Sequence, residues 1–330
     1  MEKKAISNQQ LFLESIKKIL PSNISLVNEL SDLLEISVDS AYRRIRCETT
    51  FTFDEIIKIC NHYNISFDSF RLSDKGIVSF KYNLPLSNIE NFSDYIKWIL
   101  EALKKMNLSK EKEIVYVADD IPIFQLFKFP ELAAFKIFYW MKSVVNVTEF
   151  EGKKYDPSLI SDNIMADGKQ IFSLYEKIPS TEIWSDSTIS SAIKQIEYYF
   201  EAGFFSKKED ALQLCKVLED ALLDIQEQAE HSTKAAVAGF ENNFIVYNSD
   251  IEIGNNCIFA NYDGTKSVFL RYHTFNSMVT TNAEFCHETE QWLKGMIKKS
   301  TLISGVSEKQ RYQFFRKAQE QIESLKERIG

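Results

Sequence analysis

Leu30-Ser31-Asp32-Leu33-Leu34-Glu35-Ile36-Ser37-Val38-Asp39-Ser40-Ala41-Tyr42-Arg43-Arg44-Ile45 decides how the first part of this chain folds. Leu26, Leu30, Leu33 and Leu34 recur at helical spacing, so Ser25 through Glu35 reads as an amphipathic helix with Ser25 at its cap. A short turn follows, and Ser37 can cap a second helix from Val38 to Arg46. On a wheel of roughly 100° per residue, Val38, Ala41, Tyr42 and Ile45 share one side. Asp39, Ser40, Arg43, Arg44 and Arg46 share the other. The apolar side is expected to pack inward, with Ala41 small enough for close helix approach. The outer side is expected to present three guanidinium groups.

The flanking sequence supports a small helical bundle. A helix from about Asn8 to Leu20 should stop at Pro21. Thr52-Phe53-Asp54-Glu55 is a capping box that opens a further helix, burying Ile56, Ile57, Ile59 and Cys60. Phe67 and Phe70 are expected to close the core.

A helix laid across a short second helix is the geometry that seats the second in the major groove of DNA. Arginine reads guanine bidentately or holds a phosphate, and a helix N-terminus such as Ser37 favours phosphate. The expected DNA-contacting residues are therefore Ser37, Asp39, Ser40, Tyr42, Arg43, Arg44 and Arg46. Three arginines alone would fit a solvated basic face. The helical layout, the serine cap and the arginine face coincide here, which favours DNA.

Residues 8–72 resemble the phage-repressor helix-turn-helix family, the Cro-like or xenobiotic-response-element type. The resemblance rests on Leu33 through Ser37, on Arg43, on Phe53-Asp54-Glu55-Ile56-Ile57-Lys58-Ile59-Cys60 and on Asn64-Ile65-Ser66-Phe67-Asp68. Ser40-Ala41-Tyr42-Arg43-Arg44-Ile45 resembles bacterial regulators that join this domain to a long C-terminal region without an assigned activity. The resemblance implies a five-helix lambda-repressor-like bundle that binds double-stranded DNA as a homodimer. It spans about a fifth of the chain. The family usually has Gly where Glu35 and Cys47 stand. A non-Gly residue at the Glu35 turn costs about 1 kcal/mol if the backbone is left-handed.

The whole chain has 330 residues and a net charge of −8. Residues 1–75 hold 10 Lys/Arg against 11 Asp/Glu, while residues 76–330 hold 29 against 36. The net charge argues against a broad nucleic-acid-coating surface, and the acidity lies mainly in the second part. No apolar run approaches the roughly 20 residues a membrane span needs, and Met1-Glu2-Lys3-Lys4 leads into no apolar signal core. A cytoplasmic protein with no membrane partner is expected. Five widely spaced cysteines without CxxC are expected to be reduced and mostly packed as small apolar groups.

The expected division is a 1–75 DNA-binding domain and a 76–330 regulatory or dimerisation domain, meeting at the polar break Leu72–Gly76. The chain as a whole reads as mainly α, with the second domain α+β. Ile114–Ala118 reads as a buried strand, Pro130 as the start of an apolar helix, and 158–178 and 187–202 as helices. Ser206-x-x-Glu209 reads as a box opening a helix to His231. Phe244–Asn248, Ile251–Ile253, Cys257–Asn261 and Ser267–Tyr272 read as a small antiparallel meander, with turns at Asn255-Asn256 and Asp263-Gly264. Helices at 283–300 and 308–328 finish the chain, the last capped by Ser307-x-x-Gln310.

No catalytic, cofactor or metal motif emerges. His287-Glu288 lacks the second histidine of a zinc-protease motif because Gln291 stands there. A Cys257, His273, His287 site and the pair Asp119-Asp120 at a strand end are weak candidates. The aromatic run Phe124, Phe127, Phe129, Phe135, Phe138, Tyr139, Trp140 reads first as core, and second as a pocket for a small-molecule effector. Seams at Phe315, Ala318, Ile322, Leu325, Ile329 and at Ala211, Leu214, Leu218, Ala221, Ile225 read first as internal packing, and second as dimer contacts. Two other functions stay open: a protein-interaction adaptor using the bundle, and an enzyme with an unrecognised site in 76–330.

Overall fold

The structure is a computed structural model that describes residues 7–20, 24–63, 65, 76–82, 88–235, 239–252, 254–272 and 276–330. It divides into two compact units, Met1–Ser79 and Phe80–Gly330.

The first unit contains α1 (Asn8–Ile19), α2 (Leu26–Leu34), α3 (Val38–Ile45) and α4 (Phe53–Tyr63). Four helices are thus described where five were expected. Phe67, Phe70 and the break at 72–75 lie outside the described residues. Phe12, Leu13 and Ile16 of α1 meet Leu30, Ala41, Phe51, Ile59 and Cys60 in one apolar core. The local signals act as expected at two helix starts. Ser37 Oγ accepts from the Ser40 N–H at 3.2 Å. In the Thr52 box, the Thr52 N–H donates to Glu55 at 2.8 Å and the Glu55 N–H donates to Thr52 Oγ1 at 3.2 Å. Ser25 holds the cap position of α2 without a side-chain hydrogen bond.

The turn between α2 and α3 is closed by the Ile36 N–H donating to Ser31 O and the Glu35 N–H to Asp32 O. This places Glu35 in the left-handed region at φ 56°. Cys47 does the same after α3, at φ 59°, with the Glu48 N–H donating to Arg43 O and the Cys47 N–H to Arg44 O. Both positions where the resemblance implied Gly are therefore left-handed. Gln9 of α1 holds the loop after α3: its amide donates to Arg44 O and Thr49 O, each at 2.8 Å, and accepts from the Phe51 N–H at 3.2 Å.

The second unit is built on one eight-stranded mixed sheet, ordered β1-β7-β6-β5-β2-β3-β4-β8. Its strands are β1 (Lys81–Tyr82), β2 (Lys112–Ala118), β3 (Ser180–Trp184), β4 (Phe244–Asn248), β5 (Cys257–Tyr262), β6 (Thr265–Tyr272), β7 (Asn276–Thr280) and β8 (Thr301–Leu302). Its helices are α5 (Ile89–Leu108), α6 (Ile123–Leu126), α7 (Pro130–Tyr139), α8 (Asp162–Tyr175), α9 (Asp186–Glu201), α10 (Lys208–His231), α11 (Ala283–Lys299) and α12 (Glu308–Ile329).

This corrects the expectation of a small antiparallel sheet. β2, β3 and β4 are parallel neighbours, and parallel strands need long crossovers. Alternation between strands adjacent in sequence can reveal only hairpins. β4 pairs with β3 and β8, on the opposite side of β2 from β5. β3 escapes a hydrophobicity reading because Ser180-Thr181-Glu182-Ile183-Trp184 has a carboxylate at its centre. Residues 251–252 form no strand among the described residues, and Asn255-Asn256 precede β5 without joining two strands. Asp263-Gly264 does turn β5 into β6, both residues having positive φ (46° and 81°).

α10 begins at Lys208 rather than at a Ser206 box, and Ser307 precedes α12 without a side-chain cap. The two seams are consumed inside the chain: Ala211, Leu214, Leu218, Ala221 and Ile225 of α10 share one core with Phe315, Ala318, Ile322, Leu325 and Ile329 of α12. On the other face of the sheet, Val117, Ile183, Cys257, Phe259 and Val268 pack with Cys286, Leu293 and Met296 of α11. All five cysteines are free thiols, and Cys47 is the exposed one. Among the described residues no helix is long and apolar enough to cross a membrane.

Candidate functional site

α3 carries the residues expected to meet DNA, and the structure sorts them. Ala41 is fully buried, which seats α3 against the core. Arg43 reaches one turn back to Asp39 at 3.1 Å, both side chains being well exposed. Arg46 follows the last turn and pairs with Glu48 at 2.9 Å, again in solvent; the Glu48 carboxylate pushes its guanidinium pKa up. Ser40 lies beside Ser37, their hydroxyls 3.0 Å apart.

Arg44 does not belong to this face. Its Nη2 and Nε donate to the two carboxylate oxygens of Glu55, at 2.7 and 3.2 Å, in a mostly buried pair. The guanidinium brackets α3 to the start of α4. Val38 and Tyr42 were expected to face inward, yet they are 48% and 47% exposed. The bundle offers a seat for Ala41 and part of Ile45 but none for these two. The solvent face of α3 thus combines Ser37, Asp39, Ser40, Arg43 and Arg46 with the apolar groups of Val38 and Tyr42. It offers hydrogen-bond donors that already have weak partners, beside apolar surface.

The second unit holds a cavity of about 480 Å³ between α5 and one face of the sheet. α5 is capped by Asn88, whose side chain accepts from the Asn91 N–H at 2.8 Å. Its spacing buries Phe92, Tyr95, Ile96, Ile99, Leu100, Leu103 and Met106. Side chains alternate across a sheet, so one pleat supplies the cavity floor. In register, Glu182 lies beside Tyr116, Tyr116 beside Ile258, Ile258 beside Phe269 and Phe269 beside Val279. The last four of these line the cavity, with Tyr95, Trp98 and Met106 above them. Phe124 and Trp140 close one side. Trp140 sits where α7 passes into a π-helical turn, Trp140–Val144.

Polar groups gather where β2 and β6 end and β5 begins. Arg271 pairs with Asp119 at 2.6 Å and donates to Asn255 Oδ1 at 3.0 Å. The Asp119 N–H donates to Asn256 Oδ1 at 2.6 Å. Asp120 accepts from Lys136, which also donates to Gln195 at 2.7 Å. Burial pulls the Lys136 ammonium pKa down while Asp120 opposes it. Beside Tyr116 in the same row, Glu182 accepts from Tyr175 and, at 2.7 Å, from Trp184. Burial pushes its carboxyl pKa up.

The expected site residues of this region separate. Asp120 lines the cavity, while Asp119 anchors Arg271 at its end. Phe124 and Trp140 line it, whereas Phe127, Phe135 and Phe138 are buried core and Phe129 and Tyr139 pack partly buried against that core. Cys257 faces the α11 side and His287 is exposed, so these two are not brought together; His273 lies outside the described residues. No motif singles out Tyr95, Trp98, Tyr116 or Arg271. The helical spacing of 89–108 signals Tyr95 as facing a core, whereas Trp98 lies at the edge of that stripe and is 37% exposed; strand alternation signals Tyr116. Their convergence depends on strand order. Among the described residues no cluster of three or more His, Cys, Asp or Glu could hold a metal ion. No protein-family model, curated protein or solved structure matches this chain, so its own side chains carry the functional argument.

Proposed function

We propose that the protein is a sequence-specific DNA-binding regulator that reads the major groove with α3, as a homodimer on a two-fold-symmetric operator. The observation that carries this reading is the α2–turn–α3 arrangement, with Ala41 buried and Arg43, Arg46, Ser37 and Ser40 on the free face. The arginine pairs with Asp39 and Glu48 are exposed, and such pairs are weak. A phosphate or a guanine edge can therefore displace either carboxylate. Tyr42 and Val38 add apolar surface of the kind that meets thymine methyl groups. The second unit supplies regulation.

Selection of full-length protein on random-sequence duplex DNA tests this, with an Arg43→Ala/Arg46→Ala double variant beside it. Enrichment of one palindromic sequence, lost in the double variant, is the expected result. Equal behaviour of the two proteins overturns it.

A second reading is a protein-binding adaptor. It is favoured by the exposed Val38 and Tyr42 and by the near-neutral charge of residues 1–75. DNA binding that weakens steeply with salt decides against this alternative.

A further inference from the structure

We propose that the cavity of the second unit binds one neutral, largely apolar small molecule that carries a hydrogen-bond acceptor for the Tyr116 hydroxyl. This reading does not depend on the role of α3.

The size comes first. About 480 Å³ falls within the roughly 300–1,000 Å³ typical of small-molecule sites. The walls come from a sheet and a twenty-residue helix, so the shape is held by rigid elements. Most of the lining is apolar, including Trp98, Phe124, Ile258, Phe269 and Val279.

Tyr116 supplies the handle. It lines the cavity from the middle of the sheet and is 6% exposed. Its hydroxyl makes no hydrogen bond with any described residue, whereas Tyr175 donates to Glu182 and Tyr199 bonds Ser143. The hydroxyl is not among the fully buried unpartnered polar atoms and belongs to a residue lining the cavity, so an acceptor on a bound molecule can take up its uncommitted donor. Burial, with Glu182 and Asp120 nearby, pushes the phenol pKa far up, so the group remains a donor.

The charges define the ligand class. Asp119 is matched by Arg271 and Asp120 by Lys136, so the polar end is balanced in charge, although Asp120 Oδ1 has no hydrogen-bond partner among the described residues. Beside Tyr116 and this balanced end a charged group would lose its hydration and meet no uncommitted counter-charge; Lys105, which also lines the cavity, is exposed to solvent at its rim. At that end a ketone, ester, amide or ether on an apolar frame fits; a phosphate or a carboxylate does not.

The test uses full-length protein and a neutral ketone dye, 6-propionyl-2-(dimethylamino)naphthalene, read by its own emission and by quenching of Trp98 and Trp140. Saturable one-to-one binding is expected. Tyr116→Phe should weaken it about three- to ten-fold, the worth of one net hydrogen bond. The same variant should leave unchanged the binding of 2-(dimethylamino)naphthalene, which lacks the ketone. Ala260→Phe, on the cavity floor, should abolish binding of both dyes. Ala102→Trp, at the exposed rim, serves the same purpose if the floor variant loses its helical circular dichroism. Absence of saturable binding to the wild type overturns the site, and so does undiminished binding to a folded cavity-filling variant. Equal loss of both dyes in Tyr116→Phe overturns the acceptor assignment. No DNA enters the measurement, so its failure is distinct from failure of the α3 reading.

Discussion

Arg44 and Glu55 form a two-pronged ion pair, 2.7 and 3.2 Å, that ties the last turn of α3 to the first turn of α4. Both side chains are more than four-fifths buried (15% and 17% exposed). Neighbouring arginines on one short helix therefore have opposite duties. Arg43 stands in solvent; Arg44 holds the helix at its angle.

Arg44→Ala should destabilise the first unit by about 1.5–3 kcal/mol, the range for charge-assisted hydrogen bonds. Arg43→Ala should fall within about 0.5 kcal/mol of wild type, as exposed substitutions do. Urea unfolding followed through the first unit measures both. On a selected operator, Arg43→Ala should cost about 1–3 kcal/mol in binding if it reads a base. Equal stability losses for the two variants would sink the division of labour.

Acid should loosen the first unit through Glu55. Burial alone would raise its carboxyl pKa, but donation from Arg44 and the Thr52 N–H outweighs it and holds the pKa below the usual range. The unfolded chain then binds more protons as pH falls through about 4.3, the ordinary glutamate value. The stability from this group is present above that pH and is lost as pH falls through the lower folded value. Melting curves from pH 6 to pH 3 should show a slope that Glu55→Gln flattens. An unchanged slope in the variant refutes the assignment.

Cys47 occupies a left-handed position at φ 59° after α3, and its thiol is exposed. Cys47→Gly should raise stability by about 0.5–1 kcal/mol, because only glycine adopts that backbone without a Cβ penalty. The same change should leave the Arg44–Glu55 pair intact. A lower melting temperature for the variant would argue that the thiol contributes more than its geometry suggests.

Gly168 of α8 should not tolerate alanine. A Cβ there would lie 2.2 Å from Cδ1 of the buried Phe127 ring. Alanine normally improves a helix by about 1 kcal/mol over glycine. Here overpacking should dominate, and Gly168→Ala should destabilise the second unit by about 1–3 kcal/mol. Chemical denaturation of the full chain would show this, and a stabilised variant would contradict the packing.

What the sequence by itself determined was local. Ser37 caps α3 and Thr52 with Glu55 caps α4 because the partners lie three residues apart. Pro130 opens α7 and Asp263-Gly264 turns a hairpin for equally short-range reasons. The tertiary structure decided the rest. Wheel geometry cannot tell Arg44 from Arg43, because Glu55, eleven residues on, claims only one of them. β3 looks polar until its Glu182 is placed between Tyr175 and Trp184. The row Tyr116, Ile258, Phe269, Val279 exists only once four strands are in register. Short-range hydrogen bonds are written into neighbouring residues, whereas a cavity and a parallel sheet depend on groups that meet only when distant segments pack.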